Sequence, residues 1–203
     1  DSKYEGATVL APQVGFHTTP VVGLDFASLY PSIMRAHNLC HSTHVLDAAL
    51  HGAEGVREYR ISDDFVAHFA TAARHKGLLP RILEELHTER SAAKRAVKEH
   101  TARAHDASLS DAERAREAAL ARVFDGRQKA LKVSAKSVYG AAGATDAGKY
   151  PDLAVSAVVT LQGRDAMVIK KRILPERFPG IDVIYGDTDS VMVTFADAPD
   201  VAS

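Results

Sequence analysis

The feature that most constrains this chain is a stretch of helix-patterned residues in its middle, over 79–139. Pro80 sits at a helix start, and Leu79, Ile82, Leu83 and Leu86 recur at the spacing of one helical face. Charged residues then take over through His105, and Ser110 with Glu113 has the spacing of a capping box that opens a second helix toward Tyr139. Two such helices in succession predict an antiparallel hairpin, the second helix roughly 45 Å long. Residues 81–105 carry six basic and four acidic side chains, and 113–136 carry seven and three. The hairpin is therefore locally basic, although the whole chain balances 25 Lys and Arg against 26 Asp and Glu. Any pull toward polyanions must come from such patches rather than from net charge.

The flanks read differently. Residues 1–30 suggest short extended segments, Ala7–Leu10 and Pro20–Leu24, and Pro31 suits the first turn of a short helix with Ile33, Met34 and Leu39 on its apolar side. Beyond Gly140–Gly143 a turn region leads to a third helix, expected over 151–174 and stopped by Pro175. Then Ile181–Phe195 reads as two β-rich arms around Gly186-Asp187-Thr188-Asp189, a hairpin with acids at its turn. Strand, helical insertion, helix and β-hairpin in that order predict an α+β domain whose sheet draws on both ends of the chain. No apolar run is long enough for a spanning helix, nothing marks a signal peptide, and the single cysteine, Cys40, excludes an internal disulfide. The chain opens on Asp1-Ser2-Lys3 and stops at Ser203 without closing signals, as an internal piece of a longer protein would.

Three groups of side chains could carry chemistry. Asp25 ends an apolar strand, and Asp187 and Asp189 sit at the hairpin tip; carboxylates converging from two segments suit Mg²⁺, or else cap turn amides. Lys132, Lys136 and Tyr139 share a face of the second long helix, and Arg90 stands on the first. Together they suit a phosphate clamp, or else a solvated helical face. His37, His41 and His44 have the spacing of one helical side, but Asn38-Leu39-Cys40 reads as a helix ending, which argues against a zinc trio. Phosphate-loop, dinucleotide-turn and serine-elbow motifs are absent.

Three strings, in order, resemble a known family. Asp25-Phe-Ala-Ser-Leu-Tyr-Pro-Ser-Ile33 is similar to motif A of family B DNA polymerases. Lys132-Val-Ser-Ala-Lys-Ser-Val-Tyr-Gly140 is similar to their motif B, usually KxxxNSxYG, and Tyr185-Gly-Asp-Thr-Asp-Ser190 to motif C. The resemblance covers nearly the whole chain, and the flank Met34–Cys40 looks closest to polymerases of large DNA viruses, with the eukaryotic replicative enzymes next.

The resemblance implies a palm of antiparallel sheet and helices, interrupted by a two-helix fingers insertion. Its parts would be palm over 1–75, fingers over 76–139 and palm again over 140–203. It further implies that Asp25 and Asp189 bind two Mg²⁺ ions, with the carbonyl of Phe26 as a further ligand and Asp187 in support. Ser28 and Leu29 would offer amides to the triphosphate, and Tyr30 would exclude a 2′-hydroxyl. Arg90 and Lys132 would grip the triphosphate, and Tyr139 would pack beside the nascent base pair. Expected partners are primer-template DNA, deoxynucleoside triphosphates and a processivity factor, with no membrane. The setting would be viral DNA replication, in the host nucleus or a cytoplasmic virus factory.

Two positions depart from the pattern. Lys136 stands where the family usually has Asn, so it either joins the clamp as a third cation or disturbs the site. Ala141-Ala142 is smaller than the usual pair after Gly140, which suggests looser packing against the template. A polymerase-like scaffold without catalysis is the alternative reading.

Overall fold

A computed structural model describes residues 5–143 and 151–195. The turn region of 144–150 lies outside the described residues. Four strands, β1 (Val9–Leu10), β2 (Val21–Asp25), β5 (Ile181–Asp187) and β6 (Ser190–Phe195), form one antiparallel sheet in the order β1-β5-β6-β2. The α+β expectation therefore holds, with the sheet built from both ends of the chain. Between them stand α1 (Leu29–Ala36), a second hairpin of β3 (Val56–Arg60) and β4 (Val66–Ala70), the long helices α2 (Leu78–Ala104) and α3 (Asp111–Gly143), and α4 (Leu153–Arg177).

The two long helices run antiparallel, since His100 meets Glu117 near the tip and Arg90 meets Gln128 lower down. The expected capping box is present: the Ser110 amide and hydroxyl donate to Glu113 at 2.8 and 2.6 Å, and the Glu113 amide donates back to Ser110 Oγ at 3.4 Å.

Two corrections follow. First, α3 does not stop at Tyr139 but continues through Gly143, and Ala142 is buried in the core beside Ala154 and Val158. A small residue at 142 is thus the price of close packing against α4, and it faces the core. Second, α4 runs past Pro175 to Arg177. A proline removes one donor and crowds one carbonyl behind it, and in the final turn few bonds remain to be lost.

One core lies between the helices, where Leu29, Ile33, Met34, Phe69, Leu83, Val155 and Val158 pack together. A smaller one joins α4 to the sheet through Met167, Val183, Val191 and Val193. On β6 the buried Val191 and Val193 alternate with less buried residues and pack toward α4, whereas on β5 a bulge between Val183 and Tyr185 breaks the alternation; the opposite face, which carries Ser190 and Met192, is more open. On that open face the register places Asp25 and Asp187 on either side of Ser190.

Candidate active site

The strand ends bring the acids together. Asp25 is the last residue of β2, and the next amide, Phe26 N–H, donates to the carbonyl of Asp189 at 3.0 Å, locking the end of β2 to the β5–β6 turn. That turn is tight: the Asp189 amide reaches back to the Asp187 carbonyl at 2.6 Å, and Thr188 between them has φ +52°. A β-branched residue rarely adopts a left-handed backbone, and its amide is held by the carbonyl of Thr8 at 3.0 Å. A Cβ on Gly186, before it, would lie 2.8 Å from Leu10 Cδ1, so a larger residue there would force the Leu10 side chain to shift.

Asp187 accepts from the Thr188 hydroxyl at 2.8 Å. The carboxylates of Asp25 and Asp189 form no hydrogen bond or ion pair with any described residue. Three acidic, histidine or cysteine side chains do not converge into a closed metal cage among the described residues. A pair of carboxylates with a nearby backbone carbonyl is instead the donor set of a hard cation that keeps water and substrate phosphate in its shell, so these residues fit Mg²⁺. His37 and His44 do not form a trio: His37 Nδ1 pairs with Tyr59 Oη at 3.0 Å, and His44 Nδ1 with Asp152 at 3.0 Å.

A cavity of about 410 Å³ opens beside the β5–β6 turn, lined by Leu29, Tyr30, Lys136, Tyr139, Asp187 and Asp189 among others, while Asp25 lies outside its lining. Its floor includes the start of α1, where Ser28 has φ 58° and no side chain caps the helix. Opening amides of a helix lack partners within the helix and favour an anion. The rings of Tyr30 and Tyr139 stand 4.6 Å apart, tilted at 49°, joining α1 to α3 across the cavity.

The expected cations separate. Lys136 lines the cavity, whereas Lys132, one turn earlier on α3, is exposed and outside its lining. Arg90 lies beside a small adjoining cleft and donates to Ser28 Oγ at 3.3 Å and Gln128 Oε1 at 3.4 Å. Its guanidinium is therefore held at the entrance to α1.

One cation escaped the sequence reading. Lys170 of α4 approaches the acids from behind the sheet, donating to the carbonyl of Leu24 at 2.6 Å and that of Asp189 at 3.4 Å. Burial pulls its pKa down, and the charges of Asp25 and Asp189 oppose that pull without cancelling it. The signal was a lysine on the buried stripe of Gly163, Met167 and Leu174, where a helix facing a sheet is expected to be apolar.

Comparison with known proteins accords with this site. The model of the family described as DNA polymerase family B matches residues 1–201. The DNA polymerase delta catalytic subunit of Dictyostelium discoideum is 44% identical over 200 residues, covering 95% of this chain and 16% of that protein. The subunit of the same name from Schizosaccharomyces pombe is 45% identical over 206 residues (96% and 17%), and that of Candida albicans 42% over 207 residues (96% and 18%). The chain thus spans about a sixth of the length of these relatives, all of them eukaryotic.

Proposed function

Because the chain belongs to DNA polymerase family B, we propose that it is the catalytic segment of a DNA-directed DNA polymerase that extends a primer with deoxynucleotides. The observation that carries this reading is the backbone tie of the Asp25 strand end to Asp189 through the Phe26 amide, with Asp189 lining a cavity that also holds an uncapped helix start and Lys136. The sheet with α1 and α4 is the palm, and the α2–α3 hairpin is the fingers.

In this reading Asp25, Asp189 and the Phe26 carbonyl hold two Mg²⁺ ions, which when bound supply charge neutralisation and lower the pKa of the attacking hydroxyl. The amides at Ser28 and Leu29 receive the triphosphate, Lys136 contributes a positive charge from the cavity wall, and Arg90 and Lys132 grip it from the helical hairpin. Tyr30 lies beneath the incoming sugar and Tyr139 beside the new base pair. The primer 3′-oxygen gives its proton to water and bonds to the α-phosphorus, while the bond from that phosphorus to the α,β-bridging oxygen breaks and pyrophosphate leaves. Positioning and charge neutralisation provide the rate.

The partners are primer-template DNA, deoxynucleoside triphosphates and a processivity factor. Among the described residues no helix is long and apolar enough to cross a membrane. DNA replication is the proposed setting. The motif A flank supports its viral form, in a host nucleus or virus factory, and the delta-type relatives support a cellular one.

The test is primer extension with Mg²⁺ by the full-length protein containing this chain, beside its Asp189→Asn and Lys136→Asn variants. Asp189→Asn should lose on the order of 10³-fold in incorporation while binding primer-template normally. Normal extension by that variant would remove the metal assignment. Lys136→Asn should weaken nucleotide binding by about tenfold, the loss of one charge-assisted contact. Restored synthesis by Lys136→Asn from an inactive parent would mark Lys136 as damage, and binding without extension by every form would favour the scaffold reading.

A further inference from the structure

Lys170 stands apart from every role assigned above. It lies on α4, on the side of the sheet opposite the open face, and its ammonium has three partners at once. It donates to the carbonyl of Leu24 at 2.6 Å, approaches the carbonyl of Asp189 at 3.4 Å, and sits 4.4 Å from the centroid of the Phe26 ring. Leu24 and Phe26 are the residues before and after Asp25. One side chain therefore grips both neighbours of one metal-binding acid and the backbone of the other.

Among the described residues the end of β2 is tied to the turn by the Phe26 N–H to Asp189 carbonyl hydrogen bond at 3.0 Å and by the pairing of Asp25 with Ser190. That carbonyl belongs to a turn whose Thr188 holds a left-handed backbone, so the turn is not self-supporting. Among the described residues β2 is an edge strand paired with β6 alone, so few contacts hold its end in place. An ammonium has three donors, and Lys170 directs them at two carbonyls and an aromatic face. Lys170 is half-buried and one turn from the buried Met167 on the face of α4 that packs on the sheet.

We infer that Lys170 is a positioning residue of the polymerase site, clamping the end of β2 to the β5–β6 turn and so setting the spacing of Asp25 and Asp189. It touches neither substrate nor reacting atoms in this assignment. Two effects of its charge oppose each other. A cation near the carboxylates repels an incoming divalent ion, whereas the clamp holds both carboxylates ready for it. The contacts run to backbone carbonyls and a ring, which makes the clamp the larger effect.

This inference rests on the two-metal reading, and its test separates the two. In the full-length protein, Lys170→Met removes the charge and keeps the stem, and Lys170→Arg keeps a cationic donor. Mn²⁺ binding is measured by electron paramagnetic resonance on the complex with nucleotide and a dideoxy-terminated primer, alongside kcat, KM and primer-template affinity. Lys170→Met should weaken Mn²⁺ binding and lower kcat by about tenfold each, the usual cost of losing a residue that orients metal ligands. Nucleotide KM and primer-template affinity should stay near the parent's, and Lys170→Arg should recover most of the loss. Parent-like Mn²⁺ affinity and kcat in Lys170→Met would overturn the assignment. So would tighter Mn²⁺ binding, the mark of a charge that only repels metal, or a loss of primer-template binding equal in both variants, the mark of a packing strut. If neither the unsubstituted protein nor its Lys136→Asn variant extends primers, the polymerase reading falls, while the Mn²⁺ titration of parent against Lys170→Met still decides the clamp.

Discussion

Tyr30 is held from two sides. Its ring lies 4.6 Å from that of Tyr139, and a Cβ on Gly163 of α4 would come within 3.2 Å of its edge. These two neighbours restrict the ring on the sides away from the cavity, which is what the proposed steric exclusion of a 2′-hydroxyl requires. Tyr30→Val should therefore raise ribonucleotide use by roughly 10–100-fold, read as the ratio of kcat/KM for deoxy- and ribonucleotides. Unchanged selectivity would remove Tyr30 from this role. Tyr30 was legible in the motif, but its support was not: nothing in a linear string pairs residue 30 with residues 139 and 163. Lys132 and Lys136 make the same point, since their shared helical face was readable but only one of them lines the cavity.

At the scale of elements, Asn38 does the work of a bracket. It ends α1 with φ +56°, and the Leu39 amide returns to the Met34 carbonyl at 2.9 Å. Its buried side chain donates to the carbonyls of Ala70 and His75, both at 2.8 Å, and accepts from the Gly77 amide at 2.9 Å. Gly77 precedes α2, and a Cβ there would stand 2.8 Å from Cys40 Cβ. One amide group thus joins α1, β4 and the root of the helical hairpin. Asn38→Ala would remove three hydrogen bonds to backbone groups, two of them buried, and should cost roughly 2–3 kcal/mol in denaturant unfolding of the full-length protein. A loss under about 1 kcal/mol would show that water replaces the bracket. The helix ending at Asn38 was readable from the sequence, as were the Ser110–Glu113 box and the hairpin it opens, because caps act over three or four residues. Pro175 misled, since a proline's effect depends on how much helix follows it.

For the molecule as a whole, the two halves of the chain are joined away from the sheet by His44 and Asp152. Asp152 caps α4, accepting from the amides of Ala154 and Val155 at 3.0 and 3.3 Å, and takes the His44 hydrogen bond at 3.0 Å. Burial alone would raise its pKa, but the His44 bond and charge and the Val155 amide outweigh it, so the folded value lies below the ordinary 3.8. A depressed carboxyl pKa adds stability that is complete above the unfolded value and disappears as pH falls through the folded one. Asp152→Asn should destabilise the protein by roughly 1–2 kcal/mol near neutral pH, and the gap to the parent should narrow below about pH 4. A gap that stays constant down to acid pH would show that the carboxylate's charge contributes nothing.

What the sequence by itself determined was everything that depends on neighbours a few residues away: the paired long helices and their cap, the acid-bearing β-turn, and the three strings that mark the family. Periodicity and capping are short-range effects and leave a short-range record. The tertiary structure alone decided which distant residues meet: Lys170 behind Asp25, Asn38 under Gly77, Asp152 against His44, and Lys136 rather than Lys132 at the cavity. Those meetings follow from how the helices pack on the sheet. Packing depends on side-chain shape summed over the whole core, which no local pattern encodes.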